Sequence, residues 1–314
     1  MTNAVNRVAT NTMTNQANRL LQTNQSRLTQ LQNIVSSGKK INRPSDNPLS
    51  TTQLLQITQT LKQDEQFLKN ISSGLSELQS SITALDQATE LINRAMELST
   101  QASTFTTSAD NMQAIATEFD LLTTQLVQLG NSNLGGRYLF GGMRTAQPPF
   151  ERTGDTVGYT GNLTSENNER ALEVGPGQTV AVNLTGDEIF GSVTSAGTPP
   201  AVTGGSGLIH TMMLMKQAMV GGDKAALRSH MDTLTQDQST VLNAQARLGS
   251  INNRLELTYN RLESRNTVLS QQYSDLQEID LAELISDLRL QEQVTQTSMG
   301  VIGRVITPSL LTYL

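Results

Sequence analysis

The chain has 314 residues and a formal net charge of −6, and only 36% of its residues are hydrophobic and 4% aromatic. An acidic chain lacks the clustered Lys and Arg that nucleic-acid phosphates require, and a compact enzyme of this length would carry a richer apolar core. The absence of cysteine excludes disulfides, zinc–thiolate sites and thiol nucleophiles.

The N-terminal segment lacks the apolar core of a secretory signal peptide, and no stretch of the chain approaches the roughly 18–20 apolar residues that cross a bilayer. We therefore expect no membrane partner and, if the chain is exported, a route without a cleavable signal peptide. Residues 4–36 predict a helix with a thin apolar face that ends at Gly38. The residues of this face are Val8, Leu20, Leu21, Leu28, Leu31 and Val35.

A second helix is predicted over residues 48–104, because Asn47 can cap it and Pro48 suits its first position. Apolar residues recur along it every seven positions, which is typical of a helix that packs against another along its length. The first column is Leu54, Leu61, Leu68, Leu75 and Ile82. A second column, offset by three, is Ile57, Ile71, Leu78, Leu85 and Ile92, with Asp64 and Ser99 as polar exceptions.

A third helix is predicted over residues 110–130, with Thr107 and Asp110 at capping-box spacing and Gly130 at its end. The following residues are rich in Gly, Pro and Thr, and Pro176-Gly177 separates two alternating runs as a hairpin turn would. Residues 146–206 therefore predict a small β-rich domain. A short Met-rich helix follows over residues 210–220.

Residues 223–276 predict a second long helix, about 80 Å in length at 1.5 Å per residue. Only a bundle or a coiled coil stabilises such a length. Because the two long helices flank the β-rich segment, we expect them to be antiparallel partners. The apolar column of this helix includes Leu234, Val241, Leu248, Leu255, Leu262 and Leu269.

The C-terminal helix is predicted over residues 280–307, capped by Asp280 with Glu283. Even if the two terminal helices pair, apolar surface is left over, which predicts a subunit completed by neighbouring copies. The expected contact residues here are Leu284, Ile285, Leu288, Met299, Ile302, Val305, Ile306, Leu310 and Leu311.

These elements predict a mainly α fold with a small inserted β-rich domain, long antiparallel helical rods, and paired N- and C-terminal helices. Three domains are expected: a terminal-helix assembly domain (1–46 plus 277–314), a helical rod domain (47–145 plus 207–276), and the β-rich outer domain (146–206).

No motif for catalysis, cofactor binding or metal binding is recognised. His210 and His230 are the only histidines, and neither belongs to an HExxH pattern or a cluster. The glycine-rich segments 204–207 and 221–222 lack P-loop spacing, and the acidic residues of 151–190 lack a calcium-loop pattern. An enzyme carried in the middle domain, a coiled-coil adhesin and a secretion-tip protein remain alternatives.

Three segments resemble the flagellin and hook-associated protein family. They are residues 37–48 (SGKKINRPSDNP), residues 136–142 (GRYLFGG) with Pro149-Phe150, and the C-terminal PSLLTYL of residues 308–314. The segments occur in the family's order, and the RPSDxP form is similar to that of its hook–filament junction members. The chain departs from the pattern at Asn47, where the family usually has an acid, although Asn still caps a helix.

The resemblance implies a structural, non-enzymatic part of the extracellular bacterial flagellum, exported unfolded by the flagellar type III apparatus. It implies a junction adaptor between hook-associated protein 1 and the flagellin filament, with a flagellin-like helical bundle and a dedicated export chaperone. A flagellin filament subunit is the alternative within the family. Copies of the chain itself, in a ring or helical layer, are the remaining partner expected.

Overall fold

The computed structural model describes residues 2–104, 108–161, 170–196 and 201–306, with the backbone alone at residues 2–11, 13, 193–196, 201–204, 302 and 304–306. The described helices are α1 (Thr2–Ser37), α2 (Pro48–Ser103), α3 (Ala109–Gly130), α4 (Gly186–Ile189), α5 (Leu208–Val220), α6 (Lys224–Gln277) and α7 (Leu281–Ile306). The described strands are β1 (Asn133–Leu134), β2 (Arg137–Tyr138), β3 (Phe150–Thr153), β4 (Thr156–Tyr159), β5 (Ala171–Gly175), β6 (Gln178–Ala181), β7 (Ser192–Ala196) and β8 (Ala201–Ser206). The predicted mainly α fold with a small β region is confirmed.

The chain divides into two compact units. Residues Met1–Gln63 and Arg265–Leu314 form what we name the terminal unit, and Asp64–Ser264 form the central unit. Both boundaries fall inside the long helices α2 and α6. The predicted division into three domains stays a prediction.

In the central unit, α2 and α6 run antiparallel, as predicted. Gln238 Nε2 donates to Asn93 Oδ1 at 2.8 Å, and Gln245 Nε2 donates to Asp86 Oδ1 at 2.9 Å. As the residue number increases along α6, the number of its partner on α2 decreases, which shows that the two helices run in opposite directions.

The heptad columns of these helices differ in depth. On α6 the predicted residues Leu234, Val241, Leu248, Leu255 and Leu262 are all buried. On α2, however, Leu68, Leu75 and Ile82 are only half-buried, whereas the offset column Ile71, Leu78, Leu85 and Ile92 is fully buried. The second column of α2 therefore forms the centre of the seam. Within the terminal unit, Leu54 is buried and Leu61 and Leu269 are half-buried.

Side-chain caps begin α3 and α6, and the cap of α3 differs from the predicted one. The N-cap of α3 is Ser108, whose Oγ accepts from Asn111 N at 3.3 Å; the predicted cap Thr107 precedes it and lies outside the described residues. Ser108 can cap because its backbone is extended where α3 begins. Asp223 caps α6 by accepting from the amides of Ala225 and Ala226.

The β region contains three antiparallel sheets in the described residues. β3, β4, β7 and β8 form the largest, in that order, and β1–β2 and β5–β6 form two-stranded ribbons. β5 and β6 flank Pro176-Gly177, so the predicted hairpin is confirmed, and Gly177 supplies the positive φ of its turn. The short helix α4 has no counterpart among the predicted elements.

The β region shares one hydrophobic core with the helices of the central unit. Phe140, Phe150 and Phe190 are fully or almost fully buried, and their rings pack edge to face with centroids 5.2–5.8 Å apart. The methionines of α5 are buried in the same core. Gly130 ends α3 where a Cβ would lie 2.7 Å from the Phe150 ring, so its lack of a side chain makes room for the aromatic cluster.

Charged groups fasten the β3–β4 hairpin to α3 and α5. Asp120 accepts from Arg152 Nη2 at 2.6 Å and from Lys216 Nζ at 2.8 Å, and Lys216 also donates to Asp155 at 2.7 Å. Partial burial acts to raise the pKa of Asp120, but the hydrogen bonds from Lys216 and Arg152 outweigh it, so the net pKa is lowered from 3.8. We name these four residues the hairpin charge cluster.

Replacing Asp120 with Asn should lower the free energy of unfolding by roughly 1–2 kcal/mol at pH 7, a small value because the site is partly exposed and screened. A carboxylate whose pKa falls on folding stabilises the protein above its unfolded pKa of 3.8 and loses that effect as pH falls through the folded value. Urea unfolding followed from pH 7 to pH 3 should therefore show the difference between wild type and variant shrinking below about pH 4.

Asp232→Asn, at an exposed acid within α6, is the control and should change stability by less. A difference that stays constant to pH 3 would contradict the role assigned to Asp120.

Candidate assembly interface

The loop before α2 is held by one carboxylate. Gly38 has φ +67° at the end of α1, and Asp46 Oδ2 accepts from the amides of Asn42 and Arg43 at 3.2 and 2.8 Å. Asn47 Oδ1 then accepts from Ser50 N at 3.1 Å, so the predicted cap is confirmed. The Arg-Pro-Ser-Asp-Asn-Pro segment therefore folds as a short turn that starts a helix.

This loop is also tied to the end of α6. Lys40 N donates to Gln277 O at 2.8 Å, and Gln277 Nε2 donates to Ile41 O at 3.3 Å. Asp280 follows at once and caps α7, accepting from Ala282 N at 2.8 Å and Glu283 N at 3.2 Å. The start of α7 is thereby placed beside the end of α1.

The terminal helices pair, as predicted, but through a polar seam. Asn24 Nδ2 donates to Ser298 Oγ at 3.2 Å, and Gln291 Nε2 donates to Asn24 O at 3.3 Å. Thr295, only 3% exposed, bonds its hydroxyl to its own helix at Gln291 O. Leu284 is the one other buried residue of α7 among the side chains that the structure describes. The seam therefore gains little apolar burial.

The predicted contact residues fall into three classes of exposure. Leu20, Ile285 and Met299 are exposed, and Leu284 is buried within the chain. The half-buried members are Leu21, Leu28, Leu31, Val35 and Leu288. The structure describes the helical backbone but not the side chains of four further members, Val8, Ile302, Val305 and Ile306. The last two members, Leu310 and Leu311, lie outside the described residues. The exposed members are the ones available to another molecule.

The exposed apolar residues of α7 form two strips. At about 100° per residue, Leu281, Ile285 and Met299 project to one side of the α1-facing seam, and Leu290, Val294 and Val301 project to the other. We name these the first and the second lateral strip. Leu290 is 61% exposed, more than any seam residue of this helix. Exposed apolar strips of this kind are typical of surfaces that contact another molecule.

Sequence reasoning missed Leu290, Val294 and Val301. It followed a single stripe of apolar residues along α7 and did not test for a second one on the opposite flank. The signal was present, because these residues recur at offsets of four and seven from one another.

The chain resembles known proteins over most of its length. It matches the bacterial flagellin N-terminal helical region over residues 8–145 and the bacterial flagellin C-terminal helical region over residues 231–314, which together take in well over half of the chain. The chain belongs to the flagellin family. The N-terminal match includes the Asp46 loop and the Tyr138–Gly142 turn, both singled out by their sequence.

Three similar proteins illustrate the likeness. The chain is 28% identical to flagellar hook-associated protein 3 of Escherichia coli K12, covering 84% of this chain and 86% of that protein. It superposes on the crystal structure of Bacillus cereus FlgL with TM-score 0.56 and 25% identity, covering 70% of this chain and 99% of the other. It also superposes on the flagellar junction protein FlgL of Legionella pneumophila with TM-score 0.56 and 17% identity, covering 72% and 99%. The chain is thus recognised as a flagellin-like protein of the hook-associated protein 3 type.

No described helix has the length and apolarity that crossing a membrane would need. No group of three or more His, Asp or Glu side chains is arranged to bind a metal ion in the described ranges.

The polar seam predicts low local stability for α1 and α7 in the free subunit. Few buried apolar side chains oppose their opening, so their amides should exchange with deuterium much faster than those of the apolar α2–α6 seam near Leu85 and Val241. Hydrogen-exchange mass spectrometry on the purified chain measures both in one experiment. Equal protection of the terminal helices and the central seam would contradict this interpretation.

Proposed function

We propose that the chain is a structural component of the bacterial flagellum, a junction adaptor that joins hook-associated protein 1 on the hook side to the flagellin filament. Membership of the flagellin family supports the flagellar assignment. The likeness to proteins named flagellar hook-associated protein 3 and flagellar junction protein supports the junction within it. Its work is mechanical and non-enzymatic.

The observation that carries the proposal is the pair of lateral strips on α7. A twofold dimer uses one patch twice, whereas two different patches on opposite flanks suit head-to-tail contacts that close into a ring or continue as a helix. Each subunit would bury its first strip against one neighbour and its second strip against another. Burial at about 25 cal/mol per Å² then orders helices that their own polar seam holds weakly.

The same surface needs cover before assembly. Six apolar side chains exposed on one helix favour aggregation in a free subunit. We infer that an export chaperone binds at α7, and that the chain leaves the cell through the flagellar export apparatus. An amphipathic helix docked into an apolar groove is the expected mode of that binding.

A strain that lacks the gene tests the proposal at the level of the organelle. Cells should carry hooks without filaments and release unassembled flagellin into the medium, and the wild-type chain supplied in trans should restore filaments. Electron microscopy of the hooks and immunoblots of the medium measure both. Normal filaments in the deletion strain would overturn the proposal.

Substitution of the second lateral strip tests its assembly role. Leu290→Ser with Val294→Ser should leave the fold of the subunit unchanged, because both side chains are already solvated, yet cut the number of filaments per cell at least several-fold. Circular dichroism of the purified variant and filament counts in the complemented strain are the measurements. Leu121→Ser, at a 60% exposed leucine of α3, is the matched control and should assemble normally. Full assembly by the strip variant would refute the assignment.

A filament subunit is the second candidate, favoured by the flagellin matches at both ends of the chain. Copy number separates the two functions. Quantitative mass spectrometry of isolated flagella should find a small fixed number of copies per hook for a junction, and a number that grows with filament length for a filament subunit.

A further inference from the structure

Helix α6 contains a four-residue motif repeated at heptad spacing. The sequence Asn-Arg-Leu-Glu occurs at residues 253–256 and again at residues 260–263. The two leucines, Leu255 and Leu262, are buried in the core of the central unit. Both arginines and both glutamates are exposed.

The repeat sorts opposite charges onto opposite flanks of one helix. Residues just before and just after a buried position project about 100° to either side of it. Arg254 and Arg261 therefore form one flank, the Arg flank, while Glu256 and Glu263 form the other, the Glu flank. Leu257, 72% exposed, lies between them on the outer face.

The Arg flank is open to a partner. Within the described residues, neither of its arginines makes an ion pair, whereas Arg247, one heptad earlier, contacts Glu188 of its own chain at 3.5 Å. A cleft of about 550 Å³ lies beside the flank, lined by both arginines, Leu257 and the β5–β6 hairpin residues Val174 and Gln178. The cleft has room for acidic side chains, and Gln178 brings a further amide donor to its wall.

We propose that the Arg flank of α6 binds the Glu flank of α6 in a second copy of this chain. The occupant follows from charge complementarity, because both flanks repeat at seven residues, about 10.5 Å along a helix. Each arginine precedes a glutamate by two residues, as Arg254 precedes Glu256 and Arg261 precedes Glu263. If two parallel copies of α6 are shifted along their axes by about 3 Å, both arginines of one copy therefore lie level with both glutamates of the other. A contact of this kind is head-to-tail, with every copy offering one flank to each neighbour.

This contact rests on the proposed assembly of copies side by side and adds a role to it. Exposed ion pairs contribute little affinity, but they select orientation and alignment and exclude wrong partners. The apolar strips of α7 supply the affinity, and the flanks of α6 set the stagger between neighbouring central units. The contact should weaken as salt concentration rises.

Disulfide trapping tests the contact, because the chain has no cysteine of its own. The variant Arg254→Cys with Glu256→Cys places two thiols on opposite sides of one helix, where they cannot bridge within a chain. In flagella assembled from this variant, mild oxidation should give a ladder of dimers and larger multimers on a non-reducing gel. Either single-cysteine variant should stay monomeric.

Two results would overturn the proposal. One is the absence of the ladder in flagella that have assembled; the other is a dimer from a single-cysteine variant, which would indicate a twofold contact through one flank. Failure of the wild-type chain to restore filaments would instead refute the proposed function, so the two failures are distinguishable.

Charge reversal gives an independent test. A chain with Arg254→Glu and Arg261→Glu, or a chain with Glu256→Arg and Glu263→Arg, should restore at least three-fold fewer filaments than wild type. Expressed together, the two chains should recover assembly, because each then offers the charge that the other lacks. A single chain carrying all four substitutions, with unchanged net charge, should also recover it. Wild-type filament numbers for each reversed chain alone would overturn the proposal, as would no recovery in the mixture.

Discussion

The structure depends on the apolar seam between two antiparallel helices of more than fifty residues. The fully buried column of α2, from Ile71 to Ile92, lies in the same core as the buried column of α6, from Leu227 to Leu262. In proteins, most of the stability of such helices comes from packing of the apolar face rather than from helix propensity. The β sheets and the short helix α5 pack onto this seam through the core around Phe140 and Phe150. The hairpin charge cluster adds hydrogen bonds between the β3–β4 hairpin and helices α3 and α5.

The terminal unit follows the opposite principle. Helices α1 and α7 bond to each other through Asn24, Gln291 and Ser298, and only Leu284 of their described apolar side chains is buried. The lateral strips of α7 are exposed. In the proposed assembly, further apolar area would be buried when neighbours contact the lateral strips.

The long helices could be predicted nearly to the residue because their signals are local. Asn47-Pro48 and Asp223 mark two helix starts, and the heptad columns cover the interior. The pairing of β4 with β7 could not be predicted, because a partner more than thirty residues away leaves no periodicity in either strand. The relative burial of the two heptad columns of α2 could not be predicted either. Both columns are apolar, and only the position of the neighbouring helices decides which of them is fully buried. The sequence did not lead to the second lateral strip, because a helix is usually expected to have one apolar face and one polar face.

The hydrogen bond between Asn24 and Ser298 has a consequence for fidelity. Polar groups inside a helix pair allow one alignment, because sliding either helix by a turn leaves an amide facing carbon. In a lone molecule water can solvate that error at little cost. If neighbouring copies bury the pair in the proposed assembly, the same error leaves a buried polar group without a hydrogen bond, at a cost of about 1–3 kcal/mol. In the proposed assembly, enclosure would therefore raise the cost of slipped terminal helices and favour the aligned pair.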